Sequence, residues 1–369
     1  MTSVRTGVWV VARDLRTPES VQELIRFVQD HGLKVVIAQV VVGGYAYYPS
    51  QILPRTEYHQ DTPDFDPLQT LIDSLKPQGV EIHAWINTLL YWSRDSLPKD
   101  SMHVCNQHPD WFIRDDELKP LIEYTGEDRT MKGIDGMFLD PTRPEVRDFV
   151  ARVYQEVASQ YDVDFVHLDF VRYPGNRFGF TADRDRTMEV TGVDPLLIDP
   201  ASRAYAPRWH TAQTLDVLDR WYRSKYMVWN AERAAAITQL VQQISRAIQP
   251  YGVKLSGAVF PNPGSAYHIL AQDWRTWQEN GSLQVPVPMA YTRFPKRFEE
   301  YADALKERLA KGPVYLGIGV WLEHAENYVP EEIRTAVQQG FDTLIFFDYG
   351  NLKNNNRLIR RLQRMHVLQ

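Results

Sequence analysis

Cysteine is almost absent from this chain of 369 residues, which contains only Cys105. A lone cysteine excludes an intrachain disulfide framework and leaves the redox compartment open. Apolar runs of about 18 residues are also missing, so we expect no transmembrane segment. The first residues lead directly into a strand, without the charged start and apolar stretch of a signal peptide. The sequence therefore leaves both the localisation and the oligomeric state open.

Positive charge is in deficit, since 41 Lys and Arg stand against 47 Asp and Glu, for a net charge of −6. Neutralising nucleic-acid phosphates requires clustered basic residues, so we expect no nucleic-acid partner. The exception is a group of arginines near the C-terminus, which we interpret as the solvated face of a final helix. These arginines are Arg357, Arg360, Arg361 and Arg364.

Motifs for metals, cofactors and acyl transfer are lacking as well. The histidines show no i, i+4 helical pair and no cysteine partner, which argues against a metal site. No Gly-Xaa-Ser-Xaa-Gly elbow is present, and no glycine-rich phosphate fingerprint follows the first predicted strand. We therefore predict no metal and no cofactor.

What the chain does contain is a regular alternation of two periodicities. Short apolar, β-branched runs predict buried parallel strands, and amphipathic stretches between them predict helices. Glycine at six predicted helix-to-strand junctions suits the left-handed cap that ends a helix. Eight such units predict a single-domain (β/α)₈ TIM barrel over residues 1–369, with an open doubly wound sheet as the alternative. The predicted strands are 7–11, 33–42, 80–87, 163–171, 254–260, 285–291, 313–321 and 342–349, and the predicted helices are 19–30, 67–75, 144–160, 221–248, 267–280, 297–310 and 331–339.

Two of the predicted βα loops are long, covering residues 88–143 after strand 3 and 174–220 after strand 4. Loops of this length usually form lids or binding surfaces, and both leave the C-terminal face, where barrel enzymes keep their active sites. We expect them to wall a cleft with Trp92, Trp111, Phe178 and Phe180.

Carboxylates at the predicted strand ends are the candidate catalytic groups. Asp169 ends an apolar strand, where a carboxylate is costly unless it is paired or functional. Arg172 is near enough in sequence to pair with it or with a substrate. Glu323 and Asp348 follow strands 7 and 8 and could supply the second carboxyl that glycosidic cleavage needs. Glu323 would serve as the acid if burial against Trp321 kept it protonated, with Asp169 ionised.

Polar and aromatic side chains at the same strand ends are candidate substrate contacts, because flat rings stack on sugar faces. Each of them could instead pack under a loop or in the core, and this alternative is strongest for the two strand histidines. The candidates are His83, Trp85, Asn87, His167, Arg172, Tyr173, Tyr48, Tyr291 and Trp321.

Several motifs resemble the glycosyl-hydrolase-like family 10 proteins, a barrel family of bacterial glycosidases that includes cell-wall glycan hydrolases. The most specific are His83-Ala-Trp-Ile-Asn87 and Asp162-Val-Asp-Phe-Val-His-Leu-Asp169, the latter continuing to Tyr173-Pro174. The chain departs from the family pattern where Phe170 follows Asp169, since a second acidic residue is common there. The resemblance implies a barrel that hydrolyses a β-linked, amino-sugar-containing polysaccharide.

The leading hypothesis is therefore a glycoside hydrolase that acts by paired carboxylates on a polysaccharide or glycan strand such as peptidoglycan glycan. A carbohydrate-binding barrel without catalytic activity is the first alternative. A barrel enzyme for a phosphorylated metabolite is the second, although only residues 350–353 faintly resemble the phosphate loop it would need.

Overall fold

Eight parallel strands form the centre of the protein, in a computed structural model that describes residues 4–180 and 217–369, with the side chains of 217–225 excepted. They are β1 Arg5–Val10, β2 Val35–Val42, β3 Glu81–Asn87, β4 Phe165–Asp169, β5 Lys254–Val259, β6 Val285–Pro288, β7 Leu316–Gly319 and β8 Thr343–Phe347. Their order is β6-β5-β4-β3-β2-β1-β8-β7. Each overlaps a predicted strand, because the apolar runs are buried on both faces as parallel strands require.

The sheet closes between β6 and β7. Met289 and Gly317 form a parallel bridge. The amide of Tyr315 donates to the Pro286 carbonyl at 3.2 Å, and that of Ala290 to the Gly317 carbonyl at 3.1 Å. Pro286 and Pro288 have no N–H to donate, which limits the hydrogen bonding of β6. The predicted TIM barrel is confirmed.

Helices follow the strands, and proline begins many of them. Thr17 caps the first helix in a capping box, and Asp66 accepts the Gln69 amide at 3.0 Å at the second. Gly79 and Gly252 take left-handed φ angles of 73° before β3 and β5. The helices are Pro18–Asp30, Pro67–Leu75, Val104–Gln107, Gly126–Lys132, Pro144–Gln160, Val217–Ile248, Pro263–Leu270, Trp274–Glu279, Pro295–Leu309, Ala325–Gln338, Tyr349–Lys353 and Asn356–Arg364. In the described part of the chain, none is long and apolar enough to span a membrane.

One helix differs from its predicted bounds in an informative way. Helix Ala325–Gln338 begins before the predicted start and runs through Pro330. A proline has no N–H to donate to the carbonyl four residues earlier, which here belongs to Glu326. The guanidinium of Arg361 donates to that carbonyl instead. A side chain from the last helix thus satisfies the group that Pro330 leaves open.

A network of hydrogen-bonded polar side chains runs through the barrel interior, and we call it the interior network. Trp9 Nε1 donates to His167 Nε2 at 3.3 Å. Ser256 Oγ lies 2.9 Å from His167 Nδ1 and 2.8 Å from His83 Nδ1, and His83 Nε2 lies 2.8 Å from Glu81 Oε1. Because an indole N–H can only donate, His167 Nε2 accepts and its Nδ1 carries the proton. The Ser256 hydroxyl then donates to His83, whose Nε2–H donates to Glu81.

Both imidazoles are neutral in this arrangement, and neither has exposed surface. Burial lowers the pKa of His83, against the opposing effect of Glu81. Burial and the neighbouring His83 hold the pKa of His167 well below its usual value. The interior network therefore depends on two histidines that remain uncharged.

This arrangement predicts that the fold is sensitive to acid. A histidine whose folded pKa lies below the unfolded value of about 6.5 takes up a proton on unfolding, so its contribution to stability is lost as the pH falls below that value. The wild-type Tm should drop between about pH 7.5 and about pH 5. His167→Gln keeps an acceptor for Trp9 and a donor for Ser256 but does not titrate, so its Tm should drop less. The control is His324→Asn, an exposed histidine, and an equal drop in wild type and His167→Gln would contradict the argument.

Candidate active site

Asp169 lies half-buried at the C-terminal end of β4. It pairs with Asn87 in the β3–β4 register. Each oxygen of the Asp169 carboxylate accepts one hydrogen bond from the protein. Trp85 Nε1 donates to Oδ2 at 3.0 Å, and the Phe170 amide donates to Oδ1 at 2.7 Å. The carboxyl is thereby fixed in place at the barrel rim.

The environment of Asp169 shifts its proton affinity. Burial raises the pKa of Asp169 to about 6, and it does so against three opposing influences: the Phe170 amide, the charge of Arg172 and the Trp85 indole. Near neutral pH Asp169 therefore keeps a protonated fraction, which grows as the pH falls toward about 6. A carboxyl that titrates in this range can exchange a proton in a reaction near neutral pH.

Arg172 forms its ion pair with a residue other than Asp169. Its Nη2 lies 3.0 Å from Asp135 Oδ2, in the long loop after β3. Its guanidinium also lies over the rings of Phe138, Phe170 and Phe260. The loop is thus tied to the rim beside Asp169, while the Asp169 carboxylate has no ion-pair partner among the described residues.

Four aromatic rings line the barrel beneath the rim. Trp9 contacts Tyr291 and Phe347 edge to face, with centroids 6.2 and 5.8 Å apart. Tyr291 and Phe347 lie 5.4 Å apart, and Trp85 lies 6.3 Å from Phe347. Gly317 makes room for the indole, since a Cβ there would lie 2.9 Å from Trp9 Cη2. The rings form an apolar floor next to Asp169.

The hydroxyl of Tyr291 is the polar group of this floor. It is buried and has no hydrogen-bond partner among the described residues. Burial raises the pKa of Tyr291 well above its usual value, and the charges of Asp169 and Asp348 act in the same direction. The hydroxyl therefore keeps its proton and remains available as a donor.

Asp348 follows β8 and is buried. Its Oδ1 accepts from the backbone amide and the side-chain Nδ2 of Asn351, at 2.9 and 3.0 Å, and so caps helix Tyr349–Lys353. Its Oδ2 lies 3.5 Å from Arg13 Nη2. Asp348 thus combines a structural cap with a position from which its charge reaches Tyr291.

Glu323 and Trp321 lie beyond the end of β7, and both are exposed. The burial that would keep Glu323 protonated is missing, so the structure does not support its predicted role as the acid. Trp321 has half of its surface accessible and can offer a ring face to a ligand.

Asn87 is buried at the end of β3, and its amide is oriented by its neighbours. Gln39 Nε2 donates to Asn87 Oδ1 at 3.2 Å. Gln39 in turn accepts the Ala12 amide at 3.0 Å. The carbonyl of Asn87 is therefore engaged, and its NH₂ group is the part that can reach a ligand.

Four predicted substrate contacts lie behind the rim. His83 and His167 belong to the interior network. Tyr48 donates to Glu156 Oε2 at 2.9 Å, and Tyr173 is buried with the Arg233 guanidinium 4.4 Å from its ring centroid. For these side chains the structure supports packing, the alternative that the sequence left open.

The two long loops are joined to each other. Arg114–Asp115 of the first loop pairs with Phe178–Phe180 of the second, while Leu90–Trp92 pairs with Met137–Phe138 within the first loop. The aromatic residues expected to wall the cleft are buried within these loops; they are Trp92, Trp111, Phe178 and Phe180. The loop after β3 reaches the rim through Asp135, while residues 181–216 of the second loop lie outside the described residues.

Sequence reasoning overlooked Trp9, Phe347 and Gln39. Trp9 belongs to a buried cluster with Ile37 and Ile345, and Gln39 and Phe347 lie two residues after these two. Strict alternation along β1, β2 and β8 could have found them. Over the same described ranges, no group of three or more His, Cys, Asp or Glu side chains could hold a metal ion.

A closed parallel barrel that carries carboxyl groups and aromatic rings at its C-terminal rim is the architecture of the TIM-barrel glycoside hydrolases. The glycoside hydrolase domain of PgaB (BpsB) from Bordetella bronchiseptica superposes with a TM-score of 0.70 at 14% identity, covering 99% of both chains. Alpha-L-fucosidase isoenzyme 2 from Paenibacillus thiaminolyticus gives 0.65 at 16% identity, covering 98% of this chain and 49% of that one. At sequence identities this low, the superpositions establish a shared fold and nothing more.

The chain belongs to the glycosyl hydrolase-like 10 family, whose model matches residues 1–338. It is 25% identical to the glycosyl hydrolase YngK of Bacillus subtilis over 342 residues, covering 84% of this chain and 57% of that protein. It is 27% identical to the glycosyl hydrolase DigH of Escherichia coli over 315 residues, covering 79% and 63%. The chain thus spans about three-fifths of the length of these curated relatives.

The indole of Trp85 gives a direct test of the electrostatics at Asp169. A donor to a carboxylate lowers the pKa of the acid, so Trp85→Phe should raise the pKa of Asp169 above about 6. The carboxyl carbon shift, followed by NMR against pH and assigned with Asp169→Asn, measures this. Trp92→Phe is the control, because that indole donates to the Ser96 carbonyl. A lower pKa in Trp85→Phe would contradict the proposed contact.

Proposed function

We propose that this protein hydrolyses glycosidic bonds in a polysaccharide or glycan strand, and that its substrate contains amino sugars, as peptidoglycan glycan does. The observation that carries the proposal is Asp169, a half-buried carboxyl that the Trp85 indole and the Phe170 amide hold in place at the rim of the barrel. The family and the fold support the reaction class. The family resemblance supports the choice of amino-sugar polymers.

In this proposal Asp169 is the general acid. Its half-buried carboxyl donates a proton to the glycosidic oxygen as the bond to the leaving sugar breaks. Glycosidic cleavage needs a second carboxylate, which acts on the opposite face as base or nucleophile. Asp348 fits this role better than Glu323, because it lies in the barrel mouth and its charge reaches Tyr291, as does that of Asp169.

Neutral groups around the two acids would hold the sugar. The NH₂ group of Asn87 and the hydroxyl of Tyr291 are free to donate to sugar hydroxyls. The exposed ring of Trp321 can stack on an apolar sugar face further along the cleft. Arg172 is bound to Asp135, so its role is to position the loop after β3 beside Asp169.

Replacing each carboxyl separately tests the assignment. Asp169→Asn and Asp348→Asn should each lower kcat on an amino-sugar glycan by about 10²–10⁴-fold, the usual contribution of a positioned acid or base. Asparagine caps helices as well as aspartate does, so Asp348→Asn removes the charge and keeps the cap. Asp342→Asn, an exposed acid next to the other end of β8, is the matched control. Glu323→Gln should leave kcat close to the wild-type value.

The same assays distinguish the alternatives. A large loss in Glu323→Gln with none in Asp348→Asn would reverse the choice of second carboxylate. Glycan binding by the wild type without release of any product would identify a carbohydrate-binding barrel. In that case Asp169→Asn would alter binding alone.

Tyr291 provides a second prediction, in which activity and stability change in opposite directions. An unpaired buried hydroxyl costs about 1–3 kcal/mol, so Tyr291→Phe should raise the free energy of unfolding by about 1 kcal/mol. Loss of one hydrogen bond to the substrate should lower kcat/KM by up to about tenfold. Urea unfolding and steady-state kinetics measure the two effects. Tyr154→Phe is the control, since its hydroxyl bonds to Thr88 and the Ile86 carbonyl and its loss should destabilise the protein.

A further inference from the structure

Four arginines form one stripe along the last helix, Asn356–Arg364, and we call them the arginine strip: Arg357, Arg360, Arg361 and Arg364. Their spacing of i, i+3, i+4 and i+7 places them on one helix face, and all four are exposed. Leu358, Ile359 and Leu362 anchor the helix to the core. The strip lines a groove of about 410 Å³ together with Glu326 and Asn327.

Only one member of the strip has an evident structural task. Arg361 donates to the Glu326 carbonyl that Pro330 leaves open. In the described part of the chain, no ion pair joins Arg357, Arg360 or Arg364 to a carboxylate. Glu326 is the single acid in the groove lining, so positive charge dominates the groove on a chain whose net charge is −6.

The strip works against the stability of its own helix. Like charges three or four residues apart repel, and this helix contains several such pairs. Arg361 and Arg364 lie in the last turn, where cations suit the helix dipole, whereas Arg357 lies in the first turn, where they do not. Helix stability therefore does not account for the strip, but an anionic ligand would.

The groove borders the rim of the barrel. Glu326 and Asn327 lie in the first turn of helix Ala325–Gln338, which follows the rim loop of residues 320–324 that carries exposed Trp321. Trp321 lies five residues before Glu326 in the chain, so the exposed ring and the groove belong to neighbouring parts of the surface. The amide of Asn327, which is also exposed, adds a neutral group suited to sugar hydroxyls.

We propose that the arginine strip is a binding subsite for a glycan that carries carboxylate groups, outside the catalytic centre and continuous with it through Trp321. Guanidinium groups bind carboxylates with paired hydrogen bonds, so arginine suits this ligand better than lysine. The inference rests on the proposed function, because it names the charge class of the same substrate.

Binding measurements in the Asp169→Asn background test this without relying on cleavage. The probes are a hyaluronan oligosaccharide, which carries carboxylates, and a neutral chitin oligosaccharide of equal length. The test variant is Arg357→Gln/Arg360→Gln/Arg364→Gln, which retains Arg361. The control is Lys296→Gln/Lys306→Gln/Lys311→Gln, which removes equal charge from exposed positions elsewhere.

At low salt the parent protein and the lysine variant should bind the acidic oligosaccharide about tenfold more tightly than the neutral one, as expected for a few exposed ion pairs. The arginine variant should lose this preference and keep its affinity for the neutral probe. Its Tm should not fall, because repulsion within the helix is relieved. If the triple variant fails to fold, Arg357→Gln alone should reduce the preference.

Equal affinity of the parent protein for both probes would overturn the inference, as would an unchanged preference in the arginine variant. Inorganic phosphate that competes at concentrations matching the oligosaccharide would indicate a simple anion site instead. Binding to phosphatidylglycerol vesicles but not to the acidic oligosaccharide would indicate a membrane surface. Charge-selective binding at the arginine strip, together with no cleavage of any glycan by the wild type, would refute the proposed function and leave the binding subsite standing.

Discussion

The hydrogen bond from Trp9 to His167 is the contact on which the centre of this barrel depends. An indole N–H buried without an acceptor would be costly, and the 3.3 Å contact satisfies it. The same bond fixes the tautomer of His167, and through Ser256 that of His83. Because the indole is held, Tyr291 and Phe347 have a rigid surface to pack against. The aromatic floor of the candidate site thus rests on the polar interior below it.

In the proposed mechanism Asp169 is the acid, and its environment depends on this rigid floor. Its burial favours the protonated form, while the Trp85 indole and the Phe170 amide favour the carboxylate. The balance sets a pKa of about 6, a value suited to proton exchange. Had Arg172 paired directly with Asp169, its charge would have favoured the ionised form more strongly. Asp135 engages Arg172 instead, so a residue of the long loop helps to tune the acid at the end of β4.

The sequence was informative where side chains belong to regular strands and less so where strands end. Asp169, Trp85 and Asn87 were expected in the C-terminal parts of two strands, and they lie there in β3 and β4. Trp321 and Glu323 were placed by extending the same alternation, but β7 ends at Gly319. Beyond that point His324 adopts a left-handed conformation and the chain turns outward. The period of two has no physical basis once the strand's hydrogen bonds have ended.

Two aromatic residues near strand ends were predicted to contact the substrate but pack within the protein, and the reason is different. Tyr48 and Tyr173 sit near strand ends, as rings of a sugar groove would, yet Tyr48 bonds to Glu156 and Tyr173 lies beneath Arg233. These partners come from helices Pro144–Gln160 and Val217–Ile248, and only the fold brings them near. A tyrosine that packs and a tyrosine that binds sugar have the same local sequence pattern.

The two candidate acids differ in what already occupies their oxygens, and this difference bears on their roles. Asp348 is engaged on both sides, by the amide groups of Asn351 and by Arg13. Asp169 has two neutral donors and, among the described residues, no direct cation. A group that must gain and lose a proton is best left without a fixed cation, whereas a carboxylate that must stay charged benefits from one. The surroundings of the two acids therefore fit the proposed roles, in which Asp169 transfers the proton and Asp348, held in place by Arg13 and Asn351, is the second carboxyl.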